Sequence, residues 1–129
     1  MNCPRCRDPL LTVIYEDFEV DYCESCGGVW LDAGELETLT RDDERLAEIL
    51  GKDAASPSRE PSLRCPICRR RMKKYIAQTT PPILYDLCSA GEGIWLDRGE
   101  LEAVLHATDN ENLTPLAQKL LDLLGHTLT

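Results

Sequence analysis

Apolar and polar positions alternate most cleanly at Phe18, Val20 and Tyr22, with Glu19 and Asp21 between them. That is the period of a strand with one buried face. Leu10 to Tyr15 is a second β-prone run, and Glu16-Asp17 separates the two, so the pattern predicts a hairpin. Tyr75 to Gln78 and Ile83 to Leu87 repeat it around a longer turn, Thr79-Thr80-Pro81-Pro82. Helical starts follow glycine at Glu35 to Leu39 and at Glu100 to His106. A further helix is predicted over Asp42 to Leu50, with Thr40 as cap, Leu46, Ile49 and Leu50 on one side, and Gly51 as stop. The last segment places Thr114 at an N-cap and Pro115 at the first helical position, and Gly125 closes it. Its apolar residues Leu113, Leu116, Ala117, Leu120, Leu121, Leu123 and Leu124 cover more than one stripe. Such a helix wants burial on more than one side, against the first half of the chain or against another chain.

The two hairpins belong to an internal repeat. Trp30-Leu31-Asp32-Ala33-Gly34-Glu35-Leu36-Glu37 matches Trp95-Leu96-Asp97-Arg98-Gly99-Glu100-Leu101-Glu102 at seven of eight positions. Asp21 and Cys23 match Asp86 and Cys88, and Gly28 matches Gly93. Residues 51–62, rich in Ser, Pro, Ala and charge, read as a linker between a first unit, 1–50, and a second, 63–125.

Cysteine turns this outline into chemistry. The 129 residues include seven Cys. Cys3, Cys6, Cys23 and Cys26 are spaced C-x2-C-x16-C-x2-C, the spacing of a four-cysteine zinc site. Two thiolates three residues apart on a tight turn can reach one ion, and two such knuckles complete a tetrahedron. Pro4 suits the first turn, and Gly27 stands where a knuckle often needs positive φ. The second copy has Cys65, Cys68 and Cys88 but Gly91 where a fourth Cys would stand. His106 is the candidate to complete it, with Glu92 as the alternative. Asp97, Glu100, a water and an empty site are the remaining possibilities. His126, the other histidine, sits at the C-terminal end and reads as surface. A small hairpin does not hold itself together, so bound zinc would supply stability. The fold class expected is therefore a small metal-stabilised α+β protein of two tandem zinc ribbons, knuckle–β-hairpin–knuckle, each followed by helix.

The string Cys23-Glu24-Ser25-Cys26-Gly27-Gly28-Val29-Trp30-Leu31-Asp32-Ala33-Gly34-Glu35-Leu36, preceded by Cys3-Pro4-Arg5-Cys6, resembles the bacterial zinc-ribbon family named after transcription factor IIB. The resemblance covers about residues 1–40, and a degraded second copy covers about 63–105. It implies a zinc ribbon and zinc binding, and by name a link to transcription.

Charge bears on partners. With 23 acidic and 14 basic residues the formal net charge is −9. Seven thiolates holding two zinc ions would carry it to about −12, which opposes broad binding to nucleic acid. One exception is Arg69, Arg70, Arg71, Lys73 and Lys74, either a charged sheet edge that resists pairing or a contact for phosphates or an acidic surface. Trp30 and Trp95 read as core packed over their own knuckles, with base stacking as the alternative. Asp32, Glu35, Asp97 and Glu100 read as helix-start charge or as an acidic docking patch. No apolar run approaches the roughly 18–20 residues of a membrane span. The opening Met1-Asn2-Cys3-Pro4 carries no apolar signal core, so a reducing, cytoplasmic setting is expected. No catalytic constellation accompanies the cysteines. The function expected is a non-catalytic zinc-binding interaction module, with a protein partner or self-association through the last helix; the resemblance implies a transcription-associated adaptor. The alternatives are a nucleic-acid binder and a thiol–zinc redox sensor.

Overall fold

The computed structural model describes residues 1–51 and 61–128. Both hairpins form where alternation places them. β1 (Leu11–Tyr15) pairs with β2 (Phe18–Tyr22), and β4 (Lys73–Ala77) pairs with β5 (Ile83–Leu87), all antiparallel. Each hairpin gains a third strand that alternation does not disclose: β3 (Val29–Asp32) and β6 (Gly93–Leu96). These four-residue strands carry the Trp-Leu of the repeat and are almost wholly buried on both faces. A strand buried on both faces has no polar side to alternate.

β3 and β6 also pair with each other, Val29 with Leu96, Trp30 with Trp95, Leu31 with Ile94 and Asp32 with Gly93. The result is one six-stranded antiparallel sheet in the order β1-β2-β3-β6-β5-β4. Trp30 faces its own counterpart in the repeat, so an approximate two-fold axis passes between the two tryptophans. The two ribbons are therefore halves of one sheet rather than separate beads. Of the expected linker, residues 52–60 lie outside the described residues.

One face of this sheet carries the helices. α1 (Asp43–Leu50), α2 (Glu100–Ala107) and α3 (Pro115–Leu128) cover a core that includes Val20, Leu31, Leu39, Ile49, Leu96, Val104 and Leu105, all essentially without exposed surface. The terminal helices cross the axis. The end of α1, from the first copy, bonds to the second: the Gln78 amide donates to the Ile49 carbonyl at 2.6 Å, and the Tyr85 hydroxyl donates to the Leu50 carbonyl at 2.7 Å. The start of α3 returns to the first copy, where the Thr114 amide donates to the Leu39 carbonyl at 3.2 Å and Arg41 donates to Asn112 at 2.7 Å. Ala117 and Leu120 of α3 are buried in the shared core. Leu116 and Leu121 pack partly against that core, so this part of the apolar stripe is used inside the chain.

Three local expectations are corrected. The start at Glu35 to Leu39 is a single 3₁₀ turn, Leu36–Leu39. α1 is capped by Asp42, whose carboxylate accepts the Arg45 amide at 3.0 Å, while Thr40 accepts the Asp42 amide at 3.2 Å. α3 runs through Gly125 instead of stopping there. The hairpins also do not depend on metal alone, because the joined sheet and its helices supply an apolar core. Among the described residues, no helix is long and apolar enough to cross a membrane.

Candidate metal centres

The opposite face of the sheet carries all seven cysteines, packed with Trp30, Trp95, Leu63 and Met72. In the first knuckle the Arg7 amide donates to the Cys3 carbonyl at 2.8 Å and the Cys3 amide to the Asp8 carbonyl at 2.7 Å. This closed turn aims the amides of Arg5 and Cys6 at the Cys3 sulfur, at 3.3 and 3.2 Å. In the second knuckle the Gly27 amide donates to the Cys23 carbonyl at 2.8 Å, with Gly27 at φ +77°. The expected positive φ is there. The Sγ atoms of Cys3, Cys6, Cys23 and Cys26 lie within 4.8 Å of one another, and Cys3 and Cys26 are 3.7 Å apart. A tetrahedron with Zn–S of about 2.3 Å has sulfurs about 3.8 Å apart. The four sulfurs fit that ion in distance and in softness.

Burial pushes the Cys3 and Cys26 thiols up to about 11. Burial also works against the Cys23 thiolate, but the amides of Cys26 and Ser25 and its neighbouring thiols hold it below its ordinary value. Without metal most of these thiols keep their protons at neutral pH, so an entering cation must displace them.

Cys65, Cys68 and Cys88 form the second cluster, with Cys68 and Cys88 sulfurs 3.5 Å apart. The first knuckle repeats faithfully: the Arg69 amide donates to the Cys65 carbonyl at 2.9 Å and the Cys65 amide to the Arg70 carbonyl at 2.8 Å. Burial raises Cys65 to about 11. The second knuckle differs. Gly91 itself takes the positive φ, +80°, and its amide reaches back to Cys88 at 3.0 Å, one residue earlier than in the first copy. The left-handed residue has moved into the slot where the fourth ligand would stand.

None of the expected substitutes joins the three thiols among the described residues. His106 is exposed on α2, beside Glu102, Gln118 and Asp122, on the helical side of the sheet. Glu92 turns its backbone to the site: its carbonyl accepts the Ala33 amide at 3.0 Å and its amide serves Cys88. Asp97 and Glu100 are engaged elsewhere, as follows. The side chain of His126 lies outside the described residues.

The repeated Trp-Leu-Asp-x-Gly-Glu string is a clamp. The indole N–H of Trp30 donates to Asp32 at 2.9 Å and that of Trp95 to Asp97 at 3.1 Å. The amides of Asp32 and Asp97 in turn donate to Glu35 and Glu100, both at 2.7 Å. Burial raises the Glu35 carboxyl above its usual range. These carboxylates satisfy buried donors, which an unpartnered indole N–H on a fully buried tryptophan would require. The tryptophans are core, as expected, but each ring lies across the axis. A Cβ on Gly28 would stand 2.1 Å from the Trp95 ring, and one on Gly93 would stand 2.6 Å from the Trp30 ring. The Arg5 guanidinium also crosses, forking onto Asp97 at 2.9 and 2.8 Å. The roles of Arg5, Gly28 and Gly93 escape a reading of the sequence; the only trace is that both glycines recur at the repeat offset.

The basic run does not form one patch. Lys74 is half-buried, paired with the buried Asp86 at 2.8 Å, where the first copy has Thr12 donating to Asp21 at 2.6 Å. Met72 is buried, and Lys73 stands on β4, an edge strand. Arg69 and Arg71 instead border a cleft between the two first knuckles.

A family model described as a transcription factor zinc-finger, the TFIIB type of zinc ribbon, matches residues 2–42 and again residues 64–107. No curated protein and no solved structure matches the chain.

Proposed function

We propose that this chain, which belongs to the TFIIB-type transcription factor zinc-finger family, is a non-catalytic interaction module whose surface is held in shape by zinc. It carries two zinc-ribbon copies, and its two cysteine clusters fit zinc. Bound there, zinc supplies tetrahedral cross-links between turns that the sequence places twenty residues apart. The observation that carries the reading is the use made of the repeated polar residues. Asp32, Glu35, Asp97 and Glu100, the carboxylates repeated in both copies, are engaged in holding Trp30, Trp95 and the following turns. That use supports a binding role; the family adds to the proposal an adaptor in transcription with a protein partner, and the free thiols a reducing, cytoplasmic setting.

The test is metal removal. Chelation of the zinc-loaded protein is expected to red-shift tryptophan emission, because both indoles pack among the cysteines. The helical circular dichroism should fall less, since the helices have their own core. Emission that does not move on complete zinc removal refutes the reading. A thiol–zinc switch is the second reading. It is favoured by one observation, the loss of the fourth ligand at Gly91. It requires mild peroxide to release zinc from Cys65, Cys68 and Cys88 before the other cluster.

A further inference from the structure

The first knuckles of the two copies face each other across a cleft of about 580 Å³. The lining comes from matching segments of the repeat: Cys3, Pro4 and Arg7 on one wall, Cys65, Pro66 and Arg69 on the other, with Arg64 and Arg71 beside them. Among the described residues, four arginines line this space and no acidic residue does, in a chain with 23 acidic residues against 14 basic ones. All four are exposed, and among the described residues no carboxylate pairs with any of them. Arg7 and Arg69 occupy the same place in each knuckle, at φ 66° and 64°. That left-handed backbone favours glycine or asparagine and costs an arginine about 1 kcal/mol or more. The knuckle needs the bend; it does not need a guanidinium, yet both copies carry one.

From this we infer that the cleft is an anion site for a compact phosphate chain, of the di- or triphosphate class. Planar guanidinium groups present paired donors that match phosphate oxygens, and Arg7 on one wall with Arg64, Arg69 and Arg71 on the other suits a ligand with several adjacent charges. A long nucleic acid fits less well. Both tryptophans are fully buried and offer no stacking platform, and the acidic remainder of the chain repels an extended backbone. The inference goes beyond the zinc-module reading and does not depend on a transcriptional partner.

The test is calorimetric titration of the zinc-loaded full chain at low salt with inorganic tripolyphosphate, ATP and a 15-residue single-stranded DNA. Tripolyphosphate is expected to bind, and Arg7→Ala/Arg69→Ala together should weaken it about tenfold or more, with zinc content unchanged. ATP equal to tripolyphosphate identifies a site that reads the phosphate chain alone, and tighter ATP identifies a nucleotide as the source. Either ranking supports the inference. Three results overturn it: no tripolyphosphate binding, affinity unchanged in the double variant, or DNA bound more tightly than tripolyphosphate. Zinc loss from the double variant also overturns it, by showing that the arginines serve to balance thiolate charge. Arg71→Ala alone repeats the binding test and keeps the Arg64 guanidinium, which donates to the Arg69 carbonyl of the knuckle at 3.1 Å; affinity unchanged there as well as in the double variant overturns the inference.

Discussion

The crossing of the tryptophans over the two-fold axis can be tested with one methyl group. Gly28 lies outside the left-handed region, so alanine meets no backbone objection there. By itself the change would stabilise by about 0.4–1 kcal/mol through a stiffer unfolded chain. The new Cβ, however, would stand 2.1 Å from the Trp95 ring, against an ordinary contact of 3.4–4 Å. The ring must retreat by about 1.3 Å, and it has no exposed surface into which to move. Overpacking of this kind costs about 1–3 kcal/mol and occasionally more, so Gly28→Ala is expected to lose about 2 kcal/mol net. Trp95→Phe removes the ring atoms that clash, at its own cost of about 2–3 kcal/mol for the cavity and for the lost indole bond to Asp97. In the double variant the clash is absent. Its loss should fall short of the sum of the singles by about 1–2 kcal/mol. Gly34→Ala is the control, since Gly34 has φ +89° and nothing within 4 Å of a Cβ. It should cost about 1 kcal/mol from backbone alone and show no coupling to Trp95. Urea unfolding at fixed zinc measures all four. A Gly28→Ala variant as stable as the parent, or strict additivity with Trp95→Phe, refutes the crossing.

His106→Ala should leave the zinc content at two per chain by elemental analysis; a fall to one would place His106 back at the second cluster. Gly91→Cys, which restores the fourth thiol, should tighten the second zinc in competition with a chromophoric chelator, and unchanged affinity would show that the altered turn cannot rearrange. Zinc affinity should fall as pH falls, because burial holds the free Cys3, Cys26 and Cys65 thiols near 11 and each must give up its proton to bind. The drop should reach about tenfold per pH unit for each proton released, and a flat zinc-competition titration between pH 6 and 8 contradicts it. Lys74→Met should cost about 3–5 kcal/mol in thermal or urea unfolding, because Asp86 would stay buried without its cation. Lys74→Thr, which copies the Thr12–Asp21 pair of the other half, should cost about 1–2 kcal/mol, and equal losses would deny that equivalence.

Much of this was legible because it is local. Cysteine spacing announces both clusters, alternation announces β1 and β2, and the repeat announces that whatever the first half does the second attempts. The assembly was not legible, because it is made by residues far apart. β3 and β6 are buried on both faces, so their short apolar runs read only as a preface to the next helix. Their mutual pairing turns two small ribbons into one sheet, and no local period records that. His106 was attractive by residue type, but α2 lies on the helical face and carries it away from the sulfurs. Gly91 looked like a deleted ligand; the backbone shows a rebuilt turn whose left-handed residue arrives one position early. The arginine cleft is invisible in sequence because half of it comes from each copy, and the contiguous run that stands out is split between a buried ion pair, an edge strand and that cleft.

The seam between β3 and β6 has a consequence for a single copy. Every contact across it joins one copy to the other, and nothing in its hydrogen bonding requires the peptide chain that links them. A polypeptide carrying a single copy would be left with an unpaired strand at its margin, a glycine notch with no ring to fill it, and an indole with no notch to enter. Two such molecules meeting about a two-fold axis, each offering the same strand, would satisfy one another. The present chain carries both halves of that pair on one peptide, and the halves differ in their sulfurs, four in one cluster and three in the other.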